Sequence, residues 1–123
     1  MNTTLWIIQA IIAAIFLYSG VQKSIKSEQQ LVAMGQTGVE DLPMGLIRLI
    51  GMAEILGTIG IILPQLLQIF PVLTVISAIC FAFVMIPAAL IHYKRHEPKN
   101  VFTNCVVFLM CIFVIYGRVY LSV

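Results

Sequence analysis

One carboxylate, Glu54, stands in the middle of the apolar run from Leu46 to Leu63. Lipid cannot solvate an ionised group, so a carboxylate there faces a bundle interior, a partner or a ligand. The chemistry open to it is narrow. It either stays protonated and hydrogen-bonded to a neighbouring helix, or pairs with a long basic side chain, a ligand or a partner subunit. Arg48, on the same apolar stretch, lies about 9 Å away along a helix axis and on a different face, which makes an intrahelical ion pair poor. Counting along the helices places Ala13, Cys80 and Cys111 at the depth of Glu54, with no basic side chain starting there.

A second polar layer falls nearer one end, made of Tyr18, Ser19, Arg48, Thr103 and Asn104, with Lys23 and His92 at its border. It reads either as a solvated vestibule leading towards Glu54 or as snorkelling side chains at the headgroup level. Gly51, Glu54 and Thr58 share one helical face, flanked by Ala53 and Gly57, with Gly60 beyond. Small residues let helix backbones approach closely where lipid supplies no hydrophobic drive, so this stripe predicts helix packing and turns Glu54 towards another helix. The three cysteines, Cys80, Cys105 and Cys111, lie in apolar runs without a C-x-x-C pair, which favours small buried hydrophobes over a redox motif. His92 and His96 flank a basic stretch that supplies no further metal ligands, so no metal site is expected.

The elements that position these groups follow from composition. The chain is 61% hydrophobic and only 10% charged, with a mean hydropathy of +1.06. A soluble domain carries about 25% charged residues, so the class is integral membrane protein, all-α, with residues 1–123 forming one polytopic domain. Four stretches are apolar enough and near the ~20 residues needed to cross a bilayer: 4–22, 43–63, 70–91 and 101–121. The first reads as a retained span, because no Lys or Arg precedes Trp6 and no small-x-small cleavage site follows before Gln22. Pro43 and Pro71 suit helix starts, Pro64 a helix end, Pro87 a kink, and Pro98 an interruption before the fourth span.

Between the first two spans, Ser27-Glu28-Gln29-Gln30 has the form of a capping box, followed by Leu31, Val32 and Met34 and stopped by Gly35. It predicts a short interfacial helix, with an irregular loop as the alternative. The loops after the first and third spans hold Lys23, Lys26, Lys94, Arg95 and Lys99, whereas the other side has only Arg118. The positive-inside rule puts those two loops in the cytoplasm and both termini outside. The basic residues have no soluble surface on which to form a nucleic-acid-binding face.

The run Arg48-Leu49-Ile50-Gly51-Met52-Ala53-Glu54-Ile55-Leu56-Gly57, continuing through Ile59-Gly60 to Leu63-Pro64, resembles the signature of the DoxX-like membrane proteins. So do Ser19-Gly20-x-x-Lys23 at the end of the first span and the histidine closing the third. Gly35-Gln36-Thr37-Gly38-Val39 and Pro43 fit the bacterial branch. The resemblance implies a four-helix bundle in a bacterial inner membrane. It links the chain to a wider DoxX superfamily whose members include a subunit of an archaeal thiosulfate:quinone oxidoreductase, components of redox-stress complexes, and eukaryotic chaperones and cargo receptors. A broadly similar architecture binds sterol-like and cationic amphiphilic ligands through intramembrane carboxylates. Lys23, Arg48, Gly51, Glu54 and His92 are the positions that match, and no catalytic assignment travels with them.

Three functional expectations result. The leading one is a non-catalytic subunit or assembly factor, with redox-complex subunits or a homo-oligomer as partners; no cofactor is encoded by a recognisable motif, and a quinone is the candidate. Glu54 and Arg48 would anchor its polar interior or a partner. The second is a lipophile-binding protein or small transporter, in which Glu54 engages a cationic or hydroxylated ligand; Glu54, Arg48, Tyr18, Lys23, Asn104 and His92 are the candidate ligand- or partner-binding residues. The third is an enzyme relaying a proton to a quinone head through Glu54 beside Arg48. It comes last because the chain has no recognisable cofactor motif.

Overall fold

A computed structural model of the chain describes residues 2–121. Five α-helices follow in order: α1 (Asn2–Ile25), α2 (Glu28–Ala33), α3 (Met44–Leu67), α4 (Val72–Lys94) and α5 (Pro98–Tyr116). A 3-10 turn, Thr37–Val39, sits between α2 and α3, and a π-helical turn, Gly117–Leu121, continues α5. Helices α1, α3, α4 and α5 are the four long enough and apolar enough to cross a membrane. They pack in a ring, α1 on α3, α3 on α4, α4 on α5, and α5 back on α1. The expected all-α four-helix bundle is therefore the observed one.

The ring encloses an apolar core that includes Ile12, Phe16, Ile61, Phe81 and Val114. Phe16 and Phe81 stack across it, with ring centroids 3.8 Å apart and planes within 4°. The outer surface is the reverse of a soluble protein's: Leu49, Leu56, Phe83 and Leu109 are all exposed. Faces this apolar need lipid around them. A smaller cluster of Leu31, Val39 and Ile47 fastens α2 and the 3-10 turn onto the start of α3.

The short segment forms as its sequence predicts. Ser27 Oγ accepts from Gln30 N–H while the Gln30 side chain accepts from Ser27 N–H, which completes the capping box at the head of α2. Gly35 follows at φ +97°, a conformation that a residue with a Cβ rarely adopts. Pro43 and Pro71 stand immediately before α3 and α4 as expected.

Two of the proline expectations need correction. Pro64 does not end its helix; α3 runs on to Leu67 and closes on Gln68 in the left-handed conformation. Proline at 64 leaves the Gly60 carbonyl without its helical donor, and Thr74 Oγ1 from α4 donates to that carbonyl instead, at 3.3 Å. The neighbouring Ile61 carbonyl accepts from Gln9 Nε2 at 2.7 Å. Bundle neighbours thus let the helix continue. Pro98 does not interrupt a loop either: it is the first residue of α5, where a missing N–H costs nothing. The basic connection shrinks to Arg95, His96 and Glu97. The first helix likewise runs about a turn beyond Gln22, to Ile25. The outer termini expected at Met1 and Val123 lie outside the described residues.

Candidate functional site

Helices α1 and α3 cross where two glycines meet. A Cβ on Gly20 would lie 2.7 Å from the Gly51 carbonyl oxygen, and one on Gly51 would lie 2.8 Å from that of Gly20. Only glycine at both positions allows this approach; in the sequence Gly20 stood out only within the Ser19-Gly20-x-x-Lys23 resemblance, without a packing role. On α1, Ser19 and Lys23 are one turn apart on the same face, and the close crossing lays both over Glu54. Lys23 Nζ is 3.0 Å from Glu54 Oε1, and Ser19 Oγ donates to both carboxylate oxygens at 3.1 and 3.2 Å. The two charged side chains are 14% and 7% exposed. Of the outcomes open in the sequence, the geometry is that of a buried ion pair within the chain.

Sequence counting put Glu54 level with Ala13, away from any basic residue, and the contacts correct this. A first span ending at Gln22 leaves Lys23 at the headgroup border. The level of Glu54 falls six residues further along α1, nearly two turns, beside Ser19, and the extension of α1 to Ile25 accounts for about half of that shift. Lys23 stays inside the helix because Glu54 compensates its charge.

The pair lies on the wall of a cavity of about 520 Å³ at the basic end of the bundle. Tyr18, Lys23, Glu54, His92 and Asn104 all line it, so five of the six expected site residues share one space. Phe16, Val84, Met85, Ala88 and Val107 supply apolar wall. The sixth, Arg48, is elsewhere. Its Nη1 donates to the carbonyls of Lys23 at 2.9 Å and Lys26 at 2.6 Å, satisfying the open end of α1. Asn104 Nδ2 is buried with no hydrogen-bond partner among the described residues.

The chain from Gly35 to Leu42 also borders this cavity through Gly35, Gln36, Gly38, Val39 and Leu42. It is tied to the α4–α5 turn at two points. Thr37 Oγ1 donates to both oxygens of Glu97, at 2.9 and 2.8 Å, and Arg95 Nη1 donates to Glu40 Oε1 at 2.8 Å. His92 Nδ1 is 2.7 Å from Glu97 Oε1. The hydrogen bond from His92, then that from Thr37, holds the Glu97 carboxyl below the usual glutamate range. The hydrogen bond to Glu40 raises the Arg95 guanidinium above its ordinary value. Thr37, Glu40, Arg95 and Glu97 were not anticipated as a cluster. The available signal was Glu97 itself, the one acid in a turn otherwise read as basic.

Another polar group sits at the opposite end. Gln9 is fully buried; besides its bond to Ile61, its Oε1 accepts from Arg118 Nε at 2.7 Å. Arg118 Nη1 donates to Asn2 Oδ1 at 2.8 Å, and the guanidinium lies 5.2 Å from the centroid of the Trp6 ring. The π-helical turn carries Arg118 into this position, and Gly117 makes room there for Leu5.

The glycine stripe divides. Phe81 covers Gly57, where a Cβ would sit 2.5 Å from the ring, and Ser77 Oγ fills the space over Gly60. Ala53 is exposed on the outer face of α3. Cys80 and Cys105 are exposed and Cys111 is buried.

Fold and site together define a multi-pass membrane protein with an ion pair inside its bundle and a cavity beside it. The DoxX-like family model matches residues 7–114, nearly all of the four spans, and the chain belongs to the DoxX-like family. No curated protein and no solved structure matches it.

Proposed function

We propose that this DoxX-like protein binds a lipophile with an uncharged, acceptor-bearing head, held in the cavity beside Lys23 and Glu54. The observation that carries this reading is the cavity itself. Its volume of about 520 Å³ lies within the 300–1,000 Å³ typical of small-molecule sites, which pair apolar walls with a few convergent polar groups. The charge bookkeeping narrows the ligand. Glu54 is already neutralised by Lys23 at 3.0 Å, so a cationic or anionic head would have to break that pair. Asn104 Nδ2, buried without a partner among the described residues, and Tyr18 at the exposed rim offer donors to a carbonyl or hydroxyl oxygen. A quinone head has that chemistry.

Glu54 pairs with Lys23 inside the bundle, which supports the polar-interior role for it and bears on no partner surface. We further propose that the protein sits in a bacterial inner membrane with its basic end in the cytoplasm. The clustering of Lys23, Lys26, Lys94, Arg95 and Lys99 at one end, against Arg118 at the other, supports that orientation.

A thermal-unfolding series in mild detergent tests the ligand class with three decyl-tailed probes: a benzoquinone, a trimethylammonium and a sulfate. The benzoquinone raises the unfolding midpoint of the wild type and leaves Ala88→Phe, whose cavity is filled, unmoved. Equal shifts from all three probes, or none from any, would refute the reading.

A further inference from the structure

Asn104 stands in a wall between two spaces. On one side is the cavity already described; on the other is a groove of about 480 Å³ between α4 and α5. Asn104 and Met85 line both. The groove is apolar and faces outward: Ile86, Leu90 and Leu109, which line it, are 49%, 57% and 65% exposed. Pro87, on the cavity side of the same stretch of α4, removes one main-chain hydrogen bond and softens the helix at the level of this wall.

A buried amide donor without an acceptor is costly, and a nearly apolar outward groove beside it has no use for a polar side chain. Both features make sense if one molecule occupies both spaces. We propose that the α4–α5 groove holds the alkyl tail of the lipophile whose head lies in the cavity. The chain of the ligand crosses the wall between Met85 and Asn104, and Asn104 Nδ2 donates to an oxygen of the head. The ligand then enters sideways from the bilayer, without passing the pinned segment at the basic end. This inference rests on the binding reading above and adds the route and the tail site.

The test uses the full chain in native-lipid discs and a decyl-benzoquinone carrying a diazirine at the end of its tail. Irradiation followed by peptide mapping places the tail. Adducts on Ile86, Phe108 or Leu109 are expected, with Asn104→Leu weakening probe binding at least fivefold. Ala89→Trp, which fills the groove, weakens the decyl probe by a similar factor and leaves a tail-less benzoquinone unaffected. Saturable adducts confined to Phe16 or Val84 would overturn the groove while sustaining the cavity as a binding site. Absence of any saturable adduct would overturn both. Equal losses for the tailed and tail-less probes in Ala89→Trp would also count against the groove.

Discussion

Lys23 Nζ lies 3.0 Å from Glu54 Oε1, joining α1 to α3 inside a bundle that has no other ion pair between its spanning helices among the described residues. The pair explains how two charges tolerate an apolar interior, and removing either one alone leaves the other uncompensated. Lys23→Met should therefore destabilise the fold by about 3 kcal/mol, the low end for a broken buried pair. Adding Glu54→Gln to it should restore most of the loss. Denaturation in a rising fraction of sodium dodecyl sulfate, run as a double-mutant cycle, measures both; additive losses would mean that the two side chains do not interact.

The Gly20–Gly51 crossing makes its own prediction. A Cβ at 51 meets main-chain oxygen, which cannot rotate away, so Gly51→Ala must push α1 from α3. The expected cost is about 1–3 kcal/mol, as for other overpacked sites. Gly45 is the control, with no described atom within 4 Å of an added Cβ; Gly45→Ala should be neutral or stabilise by roughly 0.5 kcal/mol. The same unfolding measurement compares them.

Much of this site was legible in the sequence because charge and amide groups are conspicuous in an apolar chain. Tyr18, Lys23, Glu54, His92 and Asn104 stand out by type alone, and helical rise brings them to roughly one end. Their pairing was not legible. Whether Lys23 belongs to the membrane helix or to its border depends on a partner on another helix. The opposite error occurred at Pro64, which ends a helix by local rules but continues because Thr74 and Gln9 from other helices satisfy the carbonyls nearby. Gln9 is equally conspicuous by type, but its role was not legible, since its partners Ile61 and Arg118 are distant in the chain. Arg48 was assigned to the ligand site on depth, which is blind to direction.

That placement of Arg48 leads to a separation of effects. Arg48→Gln removes two charge-assisted bonds to the end of α1, each worth roughly 1.5–3 kcal/mol at most. Amide hydrogen exchange across residues 24–28 should accelerate, while affinity for the decyl-benzoquinone changes less than twofold. A tenfold loss of affinity would return Arg48 to the ligand site.

The segment 35–42 should loosen in acid. Glu97 is held below the ordinary glutamate value of 4.5 by His92 first and Thr37 second, with Arg95 adding to the effect. A lowered carboxyl stabilises the closed arrangement fully above that ordinary value, and the contribution disappears as the pH falls through the lowered one. After correction for the intrinsic pH dependence of exchange, the amides of 36–42 should keep their protection from pH 7 to about 5 and lose it progressively below 4.5. Glu97→Gln should expose them at every pH. Protection that is unchanged at pH 3.5 would separate the segment from Glu97.

The most direct test of the cavity as a binding site is mass spectrometry of the lipophiles retained after gentle purification from native membranes. Wild type, Glu54→Gln and Ala88→Phe would be run side by side. One uncharged lipophile with a carbonyl or hydroxyl head is expected at near-stoichiometric level in the wild type and absent from Ala88→Phe. It should be depleted in Glu54→Gln, where Lys23 has lost its counter-charge. The same lipids in equal amounts from all three proteins would contradict the account and leave Lys23 and Glu54 as a packing device.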